Sequence, residues 1–331
     1  MVKKWLALVL KIAVSGGLIW YLISKNDMDK VQSSLVGADP LLLLGAAAIL
    51  AVQMVIGGLR WGAVLRAINV SLPFREAVRL FYIGVFFSQA LPGGTGGDAV
   101  RIYMAYKADI GLRGAINGVI LERVATVVAL VLMALATLPF FVDRLGAEDQ
   151  AWVVPSIMLI AGGAVFGLIV LCNLDRLPAA MRRWNLVRGL SNLAKDARAV
   201  FLQPRHAVRA LFWSAAGHIN ISLCVYVLAL SLALPISPID AIILMPPVLL
   251  VMTVPISIGG WGVREYAMVV AFGMVGVTNE GATVLGFLLG LVGLAMALPG
   301  GLVWFLGRQR GSATLSDVEA ELAAAGESET R

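Results

Sequence analysis

The sequence predicts an all-α polytopic membrane protein with six full transmembrane helices and two re-entrant helical hairpins in an inverted repeat. Three observations support this. Hydrophobic residues make up 60% of the 331 residues, and Asp, Glu, Lys and Arg only 14%, against about 25% in an ordinary soluble domain. Apolar runs recur along nearly the whole chain, and one Gly-rich motif occurs twice. A soluble, disordered or disulfide-stapled chain is therefore excluded.

Six segments are long enough to cross a bilayer, since a transmembrane helix needs about 20 mostly apolar residues. The first begins after two lysines that resemble the start of a signal peptide. However, Lys11 interrupts its apolar run and no Ala-x-Ala-like cleavage site follows, so we expect an uncleaved anchor. The six predicted spans cover residues 5–24, 40–66, 114–141, 151–172, 208–233 and 281–307.

Two further apolar stretches, 80–91 and 241–254, are too short to cross. Each ends at a proline and a Gly-rich break, and a second short segment follows each break. Such interrupted segments are tolerated at membrane depth only where they are buried in protein or line a water-filled cavity. The sequence therefore predicts re-entrant hairpins over 76–107 and 238–277.

The distribution of Lys and Arg predicts the orientation. We take the N-terminus as cytoplasmic and both hairpins as re-entrant. Of the Lys and Arg residues in loops, only Lys25, Lys30 and Arg144 then lie on the outer side of the membrane, and the outer loops are mainly acidic. This agrees with the positive-inside rule. We therefore expect an inner-membrane protein with both termini in the cytoplasm. Because the rule also accounts for the net charge of +6, no nucleic acid binding is expected.

The Gly-rich motif reveals an internal repeat. Residues 92–103, PGGTGGDAVRIY, and residues 255–266, PISIGGWGVREY, share a proline, a Gly-Gly pair, a Val-Arg pair and a final tyrosine at equal spacing. Each repeat contains two spans, a hairpin and one more span. Three crossings is an odd number, so the second copy is inverted, as in many secondary transporters. We expect repeats over 1–150 and 151–310, and a flexible cytoplasmic tail over 311–331.

The glycine turns predict an anion-binding site. A proline ends the incoming helix, the glycines allow close approach of the backbone, and Asp98 begins a new helix with Arg101 one turn later. A helix N-terminus with a guanidinium suits a phosphate or carboxylate. In the alternative interpretation, Arg101 pairs with Asp98, Arg264 pairs with Glu265, and the glycines only permit packing. The cost of burying charges at two repeat-related places favours a site.

The candidate substrate-binding residues lie in the two motifs and in the third span. Whether the two in that span face the interface or the cavity stays open. The full set is Pro92, Gly93, Gly94, Gly96, Gly97, Asp98, Arg101, Tyr103, Glu122, Arg123, Pro255, Gly259, Gly260, Trp261, Arg264, Glu265 and Tyr266.

Other polar residues receive structural interpretations. His218 and Asn220 are expected to form hydrogen bonds between helices. The two cysteines and two histidines have no metal-binding spacing, so no metal or cofactor is expected. Residues 175–205 include a basic amphipathic helix, which either binds anionic headgroups at the cytoplasmic interface or serves only as an orientation signal.

Over residues 5–310, and on these paired motifs, the sequence resembles the flippase-like membrane domain of the lysylphosphatidylglycerol synthetase/flippase family. The resemblance implies movement of a phospholipid, or of another anionic, polyprenyl or hopanoid lipid, between leaflets. It also places Asp98, Arg101, Arg264 and Glu265 at the central cavity. Full-length bacterial members carry a soluble aminoacyl-transferase domain that this sequence does not contain, so we expect a stand-alone transporter and no enzyme activity.

The expected function is therefore lipid transport, with the headgroup bound at two Gly-Gly-x-x-Val-Arg turns near mid-membrane. One alternative is a non-transporting scaffold subunit for a glycosyltransferase or a lipid-modifying enzyme. Another is a small-solute transporter, which would lack the lateral opening that a lipid requires. Membrane lipids are the expected partners; a lipid-modifying enzyme and a second copy of the chain are further candidates.

Overall fold

The computed structural model describes residues 2–90, 96–142, 146–176, 185–254, 257 and 259–308. Within these ranges the chain is helical and contains no strand. The predicted tail 311–331 lies outside the described residues. So do four predicted site residues: Pro92, Gly93, Gly94 and Pro255.

Twelve α-helices form the described part of the chain. A kinked turn, Tyr106–Ile110, precedes the sixth helix, and a short 3-10 turn, Leu174–Arg176, follows the seventh. The helices are α1 (Val2–Lys25), α2 (Met28–Val36), α3 (Pro40–Ala67), α4 (Phe74–Ala90), α5 (Gly96–Ala105), α6 (Leu112–Val142), α7 (Ala147–Cys172), α8 (Asn185–Phe201), α9 (Pro204–Ser231), α10 (Pro238–Thr253), α11 (Val263–Gly273) and α12 (Asn279–Arg308).

Five of these helices are long and apolar enough to cross a membrane, counting only the described residues: α3, α6, α7, α9 and α12. They coincide with five of the six predicted spans. Large apolar side chains point away from the protein on them, as at Leu159 and Phe166 of α7, which are 78% and 68% exposed. The predicted first span forms the 24-residue helix α1 but is not among the five, so six crossings stay a prediction.

The two predicted hairpins are each a pair of short helices packed together, α4 with α5 and α10 with α11. Helices α4 and α5 have 17 and 10 residues, and α10 and α11 have 16 and 11 residues. Each is shorter than the roughly 20 residues that span a bilayer. Local sequence explains where α10 begins. Ser237 Oγ accepts a hydrogen bond from the Asp240 amide, Asp240 accepts one from the Ser237 amide, and Pro238 occupies the first turn.

The helix contacts are reciprocal between the two halves of the chain. Helix α3 packs along α9, which is the second span of the other half. The first helix of each hairpin contacts the last span of the opposite half, α4 against α12 and α10 against α6. The largest cluster of buried apolar residues lies where α3, α6, α7, α9, α10, α11 and α12 meet. The two hairpins are therefore held in the middle of the molecule.

Helix α8 packs its apolar face against the protein, which neither interpretation of the amphipathic pattern specified. Its residues Val187, Leu193, Ala197 and Val200 are buried, and it contacts α3, α6, α7 and α9. The apolar stripe is therefore already covered by protein, while Lys195 remains exposed. An amphipathic pattern cannot distinguish a protein surface from a headgroup layer, and contact of the basic face with headgroups stays a prediction. Residues 177–184 of this basic stretch are not described.

Two ion pairs fix the C-terminal part of α8 to neighbouring segments. Asp196, 7% exposed, accepts hydrogen bonds from Arg113 and Asn117 of α6, both at 2.6 Å. Arg198 binds Asp175 at 2.6 Å. The hydrogen bond from Arg198 lowers the pKa of Asp175 to about 2, so this pair stays ionised at neutral pH.

The close approach of α4 and α5 predicts that Gly97→Ala destabilises the protein. A methyl group at Gly97 would lie 2.8 Å from the Ser88 amide nitrogen and would overlap the Gly84 carbonyl oxygen. Neither backbone atom can move without shifting its helix, so we expect a cost of about 1–3 kcal/mol. The measurement is the melting temperature of purified protein in detergent.

The matched control for this variant is Gly163→Ala on α7, where nothing lies within 4 Å of the added carbon. It should leave the melting temperature unchanged or raise it, because alanine is the better helix former. Equal melting temperatures for the two variants would refute the tight hairpin packing.

Candidate functional site

A cavity of about 440 Å³ lies where the ends of the two hairpins approach each other. Helix α6 supplies one wall, the end of α4 and the start of α5 supply another, and the end of α10 with the turn before α11 closes the third. Two glycines of that turn line the cavity in backbone conformations that glycine favours, Gly259 at φ +59° and Gly260 at φ +81°. The polar side chains in the lining are Ser88, Gln89, Asp98, Arg123, Thr126, Thr253 and Ser257.

Five charged side chains form one continuous network behind and along this cavity. Glu122 of α6 is 1% exposed and lies between two guanidiniums: Arg60 of α3 binds its Oε1, and Arg101 of α5 binds its Oε2 at 2.7 Å. Arg101 also contacts Asp98 at 3.2 Å. Asp98 in turn binds Arg123 through two hydrogen bonds of 2.8 and 3.0 Å. The network therefore joins α3, α5 and α6.

Aromatic rings complete the environment of the buried guanidiniums. The Arg101 guanidinium lies 5.0 Å from the Trp61 ring and 5.3 Å from the Phe81 ring, and Arg60 lies 5.8 Å from Phe81. Such cation–π contacts gain strength where water is excluded. They offset part of the cost of removing Arg101 from water.

Only one end of the network opens into the cavity. The side chain of Arg123 is 52% exposed and that of Asp98 is 19% exposed, whereas Arg60, Arg101 and Glu122 are almost fully buried. The five residues include three guanidiniums and two carboxylates. The surplus of one positive charge is therefore presented to the cavity through Arg123.

The second motif forms a smaller, self-contained network. Arg264 binds the neighbouring Glu265 at 2.6 Å and donates to the Gly286 carbonyl of α12 at 2.8 Å, and its guanidinium lies 4.5 Å from the Trp261 ring. The other Glu265 oxygen accepts from the Gly262 amide at 2.6 Å. Arg264 and Glu265 are both 4% exposed and do not line the cavity.

The described structure thus separates the predicted site residues into groups. Asp98, Arg123, Gly259 and Gly260 line the cavity, and Arg101 and Glu122 lie directly behind it. Both ion pairs of the alternative interpretation are present, Arg101 with Asp98 and Arg264 with Glu265. The remaining residues lie away from the lining: Gly96, Gly97, Tyr103, Trp261, Arg264, Glu265 and Tyr266.

Some polar groups around the cavity were not predicted. Arg60 is the main one, although a charged residue inside an apolar span is the same signal that drew attention to Glu122. Ser88, Gln89, Thr126 and Ser257 carry no sequence signal of their own, because small polar residues occur throughout membrane helices.

The interhelical role predicted for His218 and Asn220 is confirmed. Asn220 donates to the Ile49 carbonyl at 2.9 Å and to Gln53 at 3.1 Å, joining α9 to α3. His218 Nε2 lies 3.1 Å from the Thr126 carbonyl oxygen on α6. No group of three His, Cys, Asp or Glu side chains suited to a metal occurs in the described ranges.

The fold and the site together define an integral α-helical membrane protein with a charged cavity between two short-helix hairpins. The chain belongs to the family described as Lysylphosphatidylglycerol synthase TM region, whose family model matches residues 8–301.

A curated relative, a UPF0104 membrane protein from Pyrococcus horikoshii, is 26% identical over 128 residues. The match covers 38% of this chain and 35% of the relative, so the chain spans about a third of that protein. No solved structure matches.

The buried network predicts that Glu122→Gln is strongly destabilising. The variant leaves the charges of Arg60 and Arg101 buried without a carboxylate between them, and removing one partner of a buried ion pair costs about 3–5 kcal/mol. We expect a clear fall in melting temperature and in the yield of monodisperse protein in detergent.

Glu76→Gln is the matched control, because Glu76 pairs with Arg79 across a partly exposed helix face. Exposed pairs contribute about 0–1 kcal/mol, so this variant should melt close to the wild type. If Glu122→Gln melted as high as Glu76→Gln, the network could not be the structural anchor.

Proposed function

We propose that this protein moves an anionic lipid between the two leaflets of the membrane and binds the headgroup phosphate in the cavity between the hairpins. The observation that carries the proposal is the surplus positive charge of the five-residue network, which reaches the cavity only through the half-exposed Arg123. Membership of the lysylphosphatidylglycerol synthase transmembrane family supports a lipid as the ligand. The lipid crosses chemically unchanged, so no catalytic step is proposed.

The network explains how an anion replaces an internal partner. Arg123 is held by Asp98, and Asp98 also contacts Arg101 at 3.2 Å. A phosphate arriving at Arg123 takes over its hydrogen bonds, while Asp98 keeps Arg101 as its partner. Charge-assisted hydrogen bonds between guanidinium and phosphate are well suited to this exchange. Hydroxyl and amide groups of Ser88 and Gln89 lie in the same lining.

The size of the cavity suits a headgroup rather than a whole lipid. A volume of about 440 Å³ falls within the range of about 300–1,000 Å³ for small-molecule sites. The hydrocarbon chains of a lipid therefore remain outside, among the apolar surfaces of the spans. This division requires a lateral opening from the cavity towards the bilayer.

We further propose that the two hairpins are re-entrant and that residues 1–150 and 151–310 are inverted repeats with six crossings in all. The reciprocal packing of α4 on α12 and of α10 on α6 supports this arrangement, as does the cytoplasmic bias of Lys and Arg. Alternating access then rocks the two halves around the cavity. The proposed location is the inner membrane, with both termini cytoplasmic.

Within this motion, the contact that the ligand changes lies on the first hairpin. Its ties to the rest of the protein include the side-chain ion pairs of Arg101 with Glu122 and of Asp98 with Arg123, and a bound phosphate competes for the second. The second hairpin is tied to α12 by Arg264 and the Gly286 carbonyl, which lie away from the cavity. Ligand binding therefore loosens one hairpin and leaves the other in place.

The proposal predicts that Arg123→Ala abolishes most lipid translocation. Purified protein in liposomes should move fluorescent phosphatidylglycerol to the leaflet that dithionite reaches, and loss of a charged hydrogen bond worth about 1.5–3 kcal/mol should slow this by roughly 10–100-fold. Arg123→Lys should be intermediate, because lysine keeps the charge but loses the bidentate geometry.

Arg75→Ala is the matched control, since Arg75 is an exposed arginine at the start of the same hairpin; its rate should equal the wild type. Wild-type rates in a folded Arg123→Ala variant would sink the proposed site. Uptake of inorganic phosphate without lipid movement would replace lipid transport with small-solute transport. Movement of neither by folded wild-type protein would refute the transport proposal.

A further inference from the structure

We propose that a second pocket, formed by α1, α2, α11 and α12, binds one hydrocarbon chain of a membrane lipid. This pocket has a volume of about 260 Å³ and is separate from the charged cavity. The proposal does not depend on lipid transport. It requires only that α12, one of the five apolar spans, lies in a bilayer.

The lining of the pocket favours a neutral apolar ligand. The wall includes Leu22 from α1, Val31 and Leu35 from α2, and Phe287 from α12. The one carboxylate in the wall, Glu265, already binds Arg264 and the Gly262 amide. Apolar cavities of this kind stay dry and accept apolar molecules.

Two polar side chains in the wall do not change this preference. Asn26 Nδ2 donates to the Leu22 carbonyl at 2.7 Å and lies 3.3 Å from Thr283 Oγ1. Asn26 Oδ1 has no hydrogen-bond partner among the described residues, so the wall offers one unpaired acceptor and no unpaired charge. The lining contains no Lys, Arg or His to bind an anionic headgroup.

The surroundings of the pocket identify its occupant. Ile23 of α1 and Phe287 of α12 line the pocket and are also 50% and 37% exposed, so the pocket is continuous with an exposed apolar surface. On α12 that surface continues along Leu291 and Leu294. A helix in a bilayer contacts lipid chains at such a surface. The hydrocarbon of the bilayer is therefore the solvent from which a ligand enters the pocket. A hydrocarbon chain is therefore the ligand available at this opening.

The turn before α11 separates the pocket from the charged cavity. Gly259, Gly260 and Val263 face the cavity, whereas Trp261 and Glu265 face the pocket. Trp261 contacts Phe287 edge-on at 5.6 Å between ring centroids and covers the Arg264 guanidinium. A chain in the pocket would pack against Trp261 and hold this turn in place.

The test is photo-crosslinking in nanodiscs of phosphatidylcholine that contain a small fraction of phosphatidylcholine with a diazirine in one acyl chain. After irradiation and digestion, mass spectrometry should find crosslinks enriched on the pocket residues of α1, α2 and α12 over the exposed residues of α7. Val31→Phe and Ile23→Trp, which fill the pocket and its opening, should reduce these crosslinks by roughly tenfold.

Ile160→Trp is the matched control, because Ile160 of α7 is 44% exposed and Ile23 of α1 is 50% exposed; it should leave the pocket crosslinks unchanged. Leu35→Phe provides a second pocket variant if either of the others melts below the wild type. Pocket crosslinks no higher than those of α7, or unaffected by a filling variant that melts like the wild type, would overturn the proposal.

The outcome is distinguishable from a failure of the proposed transport. Phosphatidylcholine carries no net negative charge, and crosslinking needs no movement between leaflets. If the pocket binds no hydrocarbon chain, phosphatidylglycerol translocation can still depend on Arg123. Loss of translocation would leave the crosslinks intact.

Discussion

The arrangement of the first half depends on Glu122, which lies between two buried guanidiniums. Each of its oxygens binds a guanidinium from a different helix. Oε1 binds Arg60 of α3, and Oε2 binds Arg101 of α5. A charge at the centre of a membrane helix costs about 2.5–3.5 kcal/mol even on the lenient insertion scale, so none of the three can be stable there alone. The three helices must therefore pack in the register that brings the charges together. Nearer the start of α6, Asn117 binds Asp196 of α8, which ties α8 to the same helix.

The two copies of the motif differ because their partners are not repeated. At the constant spacing of the repeat, the counterpart of Glu122 is Leu285 and that of Arg60 is Leu223. Arg101 consequently shares its charge with other helices, whereas Arg264 has only its neighbour Glu265 and the Gly286 carbonyl. The same Gly-Gly-x-x-Val-Arg sequence thus builds a charged wall in one half and a neutral turn in the other. The backbones also differ, since Gly96 and Gly97 begin α5, whereas Gly259 and Gly260 lie in a turn before α11 at positive φ. Spans outside the motif decide the electrostatics.

Helix positions could be predicted from the sequence, because the length of an apolar run is a local property. The span predicted over 114–141 is observed as Leu112–Val142, and the first hairpin predicted over 76–107 covers nearly all of α4 and the whole of α5. The direction that each charged side chain faces could not be predicted, since it depends on how a helix is rotated by its neighbours. Arg123, left open between interface and cavity, lines the cavity, while Arg101, expected there, lies behind it. The docking of α8 on protein was missed for the same reason.

The surplus charge of the network argues against a purely structural role. If the arginines served only to fasten helices, two guanidiniums for two carboxylates would suffice, whereas here a third one is added. Arg123 shares Asp98 with Arg101 and meets the cavity rather than the core. A low-dielectric wall with one uncompensated positive charge attracts an anion more strongly than the same charge in water. Under the proposed function, a bound anion supplies the missing negative charge at the same place.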